Sequence, residues 1–152
     1  MAGAVACLAA TSLAVSTLVA GCGTSSVEVT GPTRGPAECA ELLDVLPEVV
    51  DGQERREVEP PDVLAAAWGD PVILLRCGVA DPERLTASSP CAEVERVGWF
   101  AEQRQDGYRF TSIGRASNVQ VEVPYEYEPA ADALVDVAEA VRSTVPEVQP
   151  CV

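Results

Sequence analysis

The chain contains no histidine and no lysine. Without an imidazole, Ser-His-Asp and Cys-His nucleophile systems are excluded; without an ammonium, so are Ser-Lys dyads and Schiff-base chemistry. Arginine supplies all ten basic side chains, against 24 Asp and Glu, for a formal net charge of −14. A surface of that sign repels phosphate backbones, which argues against nucleic acid as a partner. It offers no electrostatic docking onto anionic headgroups either. Gly-x-Ser-x-Gly, P-loop and Gly-x-Gly-x-x-Gly patterns are missing, as are calcium loops of the Asp-x-Asp-x-Asp-Gly type. No Cys-x-x-Cys spacing occurs, which together with the missing histidine removes the usual zinc clusters. Neither a metal nor a cofactor is expected. Paired carboxylates acting as acid and base are the catalytic chemistry left open, and 24 carboxyls single out no pair.

Charge is also missing from the start of the chain: Met1 to Gly21 carries none, and the first charged residue is Glu28. A membrane span needs about 20 predominantly apolar residues, and Thr11, Ser12, Ser16 and Thr17 dilute this run. Its Ala and Gly bury little apolar area, so a signal-peptide apolar region fits better than a spanning helix. The run ends Leu18-Val19-Ala20-Gly21-Cys22, which resembles the bacterial lipobox. That resemblance implies a diacylglycerol on the Cys22 thiol and cleavage that makes Cys22 the new N-terminus. One departure stands: Met1 to Cys7 lacks the positive charge of the usual n-region. An ordinary cleaved secretory peptide and a simple anchor helix are the alternatives. Arg55-Arg56 lies too deep to be a twin-arginine export signal.

The expected organisation is therefore a lipoprotein signal peptide over 1–21, a lipidated cysteine with a flexible linker over 22–36, and a globular domain over 37–152. The Gly/Ser/Thr/Pro composition of the linker predicts a tether holding the domain roughly 20 Å from the bilayer on average. Lipid on Cys22 would be the membrane attachment, with the domain on the extracytoplasmic face. Four cysteines then remain in the domain: Cys39, Cys77, Cys91 and Cys151. In a small exported domain these read as two disulfides, with three possible connectivities. The expected pairs are Cys77–Cys91, closing a local loop worth about 3 kcal/mol, and Cys39–Cys151, tying the domain's ends together for up to about 5 kcal/mol.

Periodicity predicts a short helix from Pro36 to Leu46, with Cys39, Leu42, Leu43 and Leu46 on one stripe and Pro47 as its stop. Residues 51–59 read as polar surface chain, and Pro61 to Trp68 as a second helix ending at Gly69. Strands are expected over 71–79, 94–103, 108–112 and 117–123, with a turn at Gln105-Asp106-Gly107. Ala130 to Val145 gives the clearest helix, with Leu134, Val137, Ala138, Val141 and Val145 on one face. Helices at both ends and short strands between them predict an α+β domain with a mostly antiparallel sheet of about four strands.

Several blocks carry a family resemblance. Leu42-Leu43…Leu46-Pro47, Trp68-Gly69-Asp70-Pro71, Arg76-Cys77-Gly78-Val79, Val97-Gly98-Trp99 and Gly114-Arg115 resemble an actinobacterial lipoprotein family known as domain of unknown function 3515. The likeness runs from about Cys39 to Pro146. It implies an exported, disulfide-bonded domain and assigns no activity.

Trp68, Asp70 and Arg76 are the candidate ligand-binding residues: an aromatic platform with an ion pair able to orient a small molecule. The structural reading of the same motif makes Trp68 a core residue and Asp70 a turn residue. Arg76 sits in an apolar strand and needs a partner, either Asp70 or a strand-side Glu. Tyr125-Glu126-Tyr127-Glu128 precedes the last helix and could contact a protein. The expected function is a non-catalytic envelope lipoprotein that binds or assembles with a cell-envelope protein. A small-ligand binding lipoprotein and a carboxylate-dependent hydrolase are the alternatives.

Overall fold

A computed structural model describes residues 25–150. The signal-peptide region, Cys22 and Cys151 lie outside the described residues. Helix α1 (Ala37–Val45) follows Pro36 and stops before Pro47, and α2 (Ala131–Thr144) follows Pro129. Proline suits a helix start because it has no N–H to leave unpaired, and it cannot continue one. Ten strands accompany them: β1 (Val27–Glu28), β2 (Val49–Val50), β3 (Gln53–Arg56), β4 (Val58–Glu59), β5 (Ala65–Trp68), β6 (Ile73–Cys77), β7 (Ala92–Val94), β8 (Val97–Gln103), β9 (Gly107–Ile113) and β10 (Val119–Pro124). Eight form one antiparallel sheet in the order β2-β3-β5-β6-β10-β9-β8-β7, while β1 and β4 form a separate parallel pair. The fold is the expected α+β type, with eight strands in the sheet instead of about four.

The added strands are those whose local sequence points elsewhere. Ala65-Ala66-Ala67-Trp68 reads as helix by propensity, yet all four residues are buried in β5. Ala66 and Trp68 enter the helix-side core, and Ala65 and Ala67 enter a second cluster on the opposite face. A strand buried on both faces has no polar side to advertise it, and tertiary packing overrides the weak preference of alanine. The polar strand β3 was expected as surface chain; its pairing with β2 and β5 makes it a strand.

Alternation assigns the two faces of the sheet. Trp68, Ile73, Leu75, Cys77, Val97, Trp99, Val119, Val121 and Val123 point toward the helices and pack with Leu42, Leu134, Val137 and Val141. Full burial of each such aliphatic side chain contributes about 1.5–3 kcal/mol. Leu74, Arg76, Gln120, Glu122, Arg109 and Thr111 point the other way, as the registers Arg76↔Gln120, Leu74↔Glu122, Glu122↔Arg109 and Gln120↔Thr111 require.

On that outer face lies the segment expected to be a flexible linker, and the structure corrects the expectation from residue 25 onward. Val27 and Val29 donate their N–H groups to Glu57 and Glu59 O, both at 2.8 Å, and Leu64 donates to Pro32 O at 2.7 Å. Val29, 6% exposed, packs with Val63, Ala65, Ala67 and Leu74. Composition alone makes this stretch look like a tether; two alternating valines and an alanine-lined groove suffice to hold it down.

The cysteine pairing is also corrected. Cys39 of α1 is bonded to Cys77 of β6, with Cα atoms 5.5 Å apart, so neither Cys77–Cys91 nor Cys39–Cys151 forms. Cys39 sits on the buried stripe of α1 directly over the end of β6, inside the distance a disulfide spans. Cys91 is itself disulfide-bonded and Cys151 lies outside the described residues.

Arginines fasten helix ends and a turn. Arg55 donates to Leu43 O (3.2 Å) and Leu46 O (3.3 Å), satisfying carbonyls at the C-terminus of α1, while its guanidinium lies 5.9 Å from the Trp68 ring centre. Arg115, its side chain 5% exposed, donates to Val145 O and Arg96 O, both at 3.0 Å. Arg142 donates to Glu95 O at 2.6 Å. Glu95 and Arg96 turn β7 into β8 with φ of 47° and 63°, a left-handed pair built without glycine. Such a turn costs energy, and the two guanidiniums that hold its carbonyls help to offset that cost.

Candidate functional site

The three candidate ligand residues do not converge. Trp68 is fully buried on the helix side, and its indole N–H donates to Pro47 O at 3.0 Å. Gly69 takes φ +70° to begin the β5–β6 turn, where a Cβ would stand 2.8 Å from the Tyr127 hydroxyl. Asp70 follows in that turn and is exposed. Arg76 lies on the other face, three residues along β6 from the register partner of Trp68. Trp-Gly-Asp-Pro is thus a core anchor followed by a tight turn, the structural reading of the motif.

Arg76 instead finds a strand-side glutamate. Its Nη1 stands 3.2 Å from Glu122 Oε2, and its Nε donates to Thr30 O at 3.0 Å. Arg109 approaches the same carboxylate from the other side, donating to Glu122 Oε1 from Nε (2.9 Å) and Nη2 (2.7 Å). Glu102 stands opposite Arg109 in the β8–β9 register. The result is a row of alternating charge, Arg76–Glu122–Arg109–Glu102, crossing four adjacent strands. Burial pushes the Glu122 carboxyl up, but the Arg76 charge and the Arg109 hydrogen bonds outweigh it and hold the group below the usual carboxylate range. A hollow of about 420 Å³ opens beside the row, lined by Val72, Arg104, Asp106, Arg109, Glu122 and Pro124.

A second hollow, about 560 Å³ and more apolar, lies on the helix side beyond the start of α2. Ala101, Tyr108, Phe110, Pro129 and Ala130 line it with Glu128 at the rim. Tyr125 packs edge-on against Tyr108 with ring centres 5.2 Å apart, and the Tyr108 hydroxyl donates to Glu128 Oε1 at 3.1 Å. That hydrogen bond pushes the Tyr108 phenol up. The two tyrosines of the Tyr125-Glu126-Tyr127-Glu128 stretch are half-buried and tied to turns at one end of the sheet: Tyr125 donates to Arg104 O and Tyr127 to Pro71 O.

Carboxylate pairing gains no geometry here. Asp51, in the β2–β3 turn, is pushed up by burial and by Asp132 and Asp136, and its N–H donates to Asp136 Oδ2 at 2.7 Å. Glu122 is shifted in the opposite direction on the opposite face. Two carboxyls with acidities moved apart would suit acid and base roles only if they shared a cleft. Among the described residues no group of His, Cys, Asp and Glu is arranged to hold a metal ion.

Sequence reasoning missed Glu122 and Arg109 as a pair. Each sits on the polar side of an alternating strand, a signal that is visible, but their meeting depends on the β9–β10 register, which is not.

Comparison with curated proteins and with solved structures finds no match. The family model described as Protein of unknown function (DUF3515) matches residues 1–150, and the chain belongs to that family.

Proposed function

We propose that this protein is a lipoprotein anchored on the extracytoplasmic face of the membrane, and that its domain is a non-catalytic binding or assembly module of the cell envelope. The observation that carries the reading is the uncharged run closed by Leu18-Val19-Ala20-Gly21-Cys22. The Cys39–Cys77 disulfide supports it, because such bonds persist in oxidising compartments outside the cytoplasm. No helix among the described residues is long and apolar enough to cross a membrane; in this reading lipid on Cys22 is the attachment. A single chain gives weak, reversible binding, and a diacylated cysteine supplies the two chains that stable anchoring takes.

The separation of Trp68, Asp70 and Arg76 removes the geometric support for a small-ligand site at that motif. The separation of Asp51 from Glu122 does the same for a carboxylate-dependent hydrolase built on those two groups. Mass spectrometry of the membrane fraction tests the proposal: an N-terminal peptide carrying diacylglycerol on Cys22 is expected. Cys22→Ser should move the protein out of the membrane fraction. An unmodified N-terminus at another residue would sink the anchor.

A further inference from the structure

We infer that the domain stands on the bilayer in one orientation, with the end of the sheet that carries the β5–β6 turn against the lipid and the Ala80–Pro90 loop facing away. The inference rests on the reading of Cys22 as the lipid-bearing N-terminus.

The path of the chain from Ser25 onward fixes the geometry. Ser25 is only three positions beyond Cys22, and three residues span about 10 Å at full extension. Ser25 is already fastened: Arg56 donates to Ser25 O at 2.7 Å and, through its other terminal nitrogen, to Gly69 O at 3.0 Å. One guanidinium thus ties Ser25 to the β5–β6 turn. From there the segment runs along the outer face toward the opposite end of the sheet. Its β1 pairs with β4, Thr30 accepts from Arg76, and Gly35 reaches Leu64 and Cys39. The exit toward the membrane is therefore at the turn end. Glu54, whose carbonyl accepts from the Gly69 N–H at 3.1 Å, and the β8–β9 turn share that end.

The other end holds the Cys39–Cys77 bond and the loop whose Leu85, Thr86 and Ala87 share a hollow with Ile113 at the far terminus of β9. Ile73 to Cys77 alone sets the ends about 13 Å apart at roughly 3.3 Å per residue. With Ser25 fastened at the turn end and only three residues between it and the lipid, the turn end stays nearer the bilayer than the disulfide end while the segment stays docked. The surface is acidic, so attraction to the headgroups does not set the orientation; the docked segment does.

The test uses the full lipidated chain purified from membranes and placed in phosphatidylcholine vesicles containing a headgroup-quencher lipid. A fluorescent non-natural residue replaces Glu54 in one preparation and Ala87 in another; both positions are exposed. Quenching at position 54 should exceed that at position 87 roughly twofold, given the strand-length separation. Arg56→Ala, which unties Ser25, should narrow the difference. Equal quenching at the two positions, with diacylated Cys22 confirmed by mass in the same sample, would overturn the orientation and leave the anchor standing. An unmodified Cys22 with no vesicle association would overturn both.

Discussion

The two faces of the eight-stranded sheet solve the same problem differently. The helix side is covered by α1 and α2 and filled with Val, Leu, Ile and Trp side chains, nearly all below 2% exposure. Among the described residues the outer side is covered only in part, by the segment around Val27 and Val29 over Val63, Ala65, Ala67 and Leu74. Where that cover ends, the strands carry Arg76, Glu122 and Arg109 in place of aliphatics. A half-covered face holds ions with stability to spare only if they satisfy one another, and here one carboxylate serves two guanidiniums. The comparison shows that residue choice follows cover, strand by strand, within a single alternating pattern.

The largest loss is expected at the bond joining helix to sheet. Replacing Cys39 and Cys77 by serine opens a 38-residue closure, which is worth about 4 kcal/mol in the chain-entropy model. Denaturant unfolding should show that loss, and non-reducing peptide mapping of the parent should recover Cys39 linked to Cys77. Recovery of Cys77 linked to Cys91 would refute the pairing.

On the outer face, Glu122→Gln leaves two guanidiniums without their shared anion and should cost about 1–3 kcal/mol. It should also change the acid limb of the stability curve. The folded-state acidity of Glu122 is depressed, so its contribution is complete above the unfolded carboxyl value, about 4.3, and is lost as pH falls below it toward the folded value. The parent should lose stability over that window more steeply than Glu122→Gln; parallel acid limbs would show that the ion row contributes nothing.

Val29→Ala should cost about 1 kcal/mol, against about 2 kcal/mol for Val121→Ala in the helix-side core, because the thinner cover relaxes around the lost methyls. Chemical denaturation of the pair decides it. Equal losses would mean that the N-terminal segment packs as tightly as a helix.

What the sequence made legible was whatever one chain segment settles on its own. The 3.6 period of Leu134, Val137, Ala138 and Val141 located α2, and the alternation of Val119, Val121 and Val123 located β10. The β8–β9 hairpin was marked by Gln105-Asp106-Gly107, although Gly107 opens β9 without a left-handed φ and is needed instead because a Cβ there would stand 2.1 Å from Val123 O. What escaped depends on partners distant in the chain. Ala65 to Trp68 becomes a strand only because β6 lies beside it, and Val27 to Val29 becomes ordered only because β4 and the alanines receive it. Of the candidate site, the need of Arg76 for a carboxylate was legible, while the choice of Glu122 over Asp70 required the β6–β10 register. Trp68 and Asp70 neighbour each other in sequence but are divided by a turn that sends one inward and the other to water.

Counting basic residues treats arginine and lysine as one kind of part, and this chain shows why they are not. Arg56 and Arg115 each hold two backbone carbonyls that belong to different stretches of chain, and Arg55 joins β3 to two carbonyls at the end of α1. A planar fork with several fixed donors can bridge two such acceptors; a compact ammonium on a flexible stem is a poor substitute. At these positions an exchange to lysine would keep the charge and lose the joint. A stabilising redesign of this domain would therefore treat its arginines as backbone connectors, and would place new lysines only where a side chain has nothing to span.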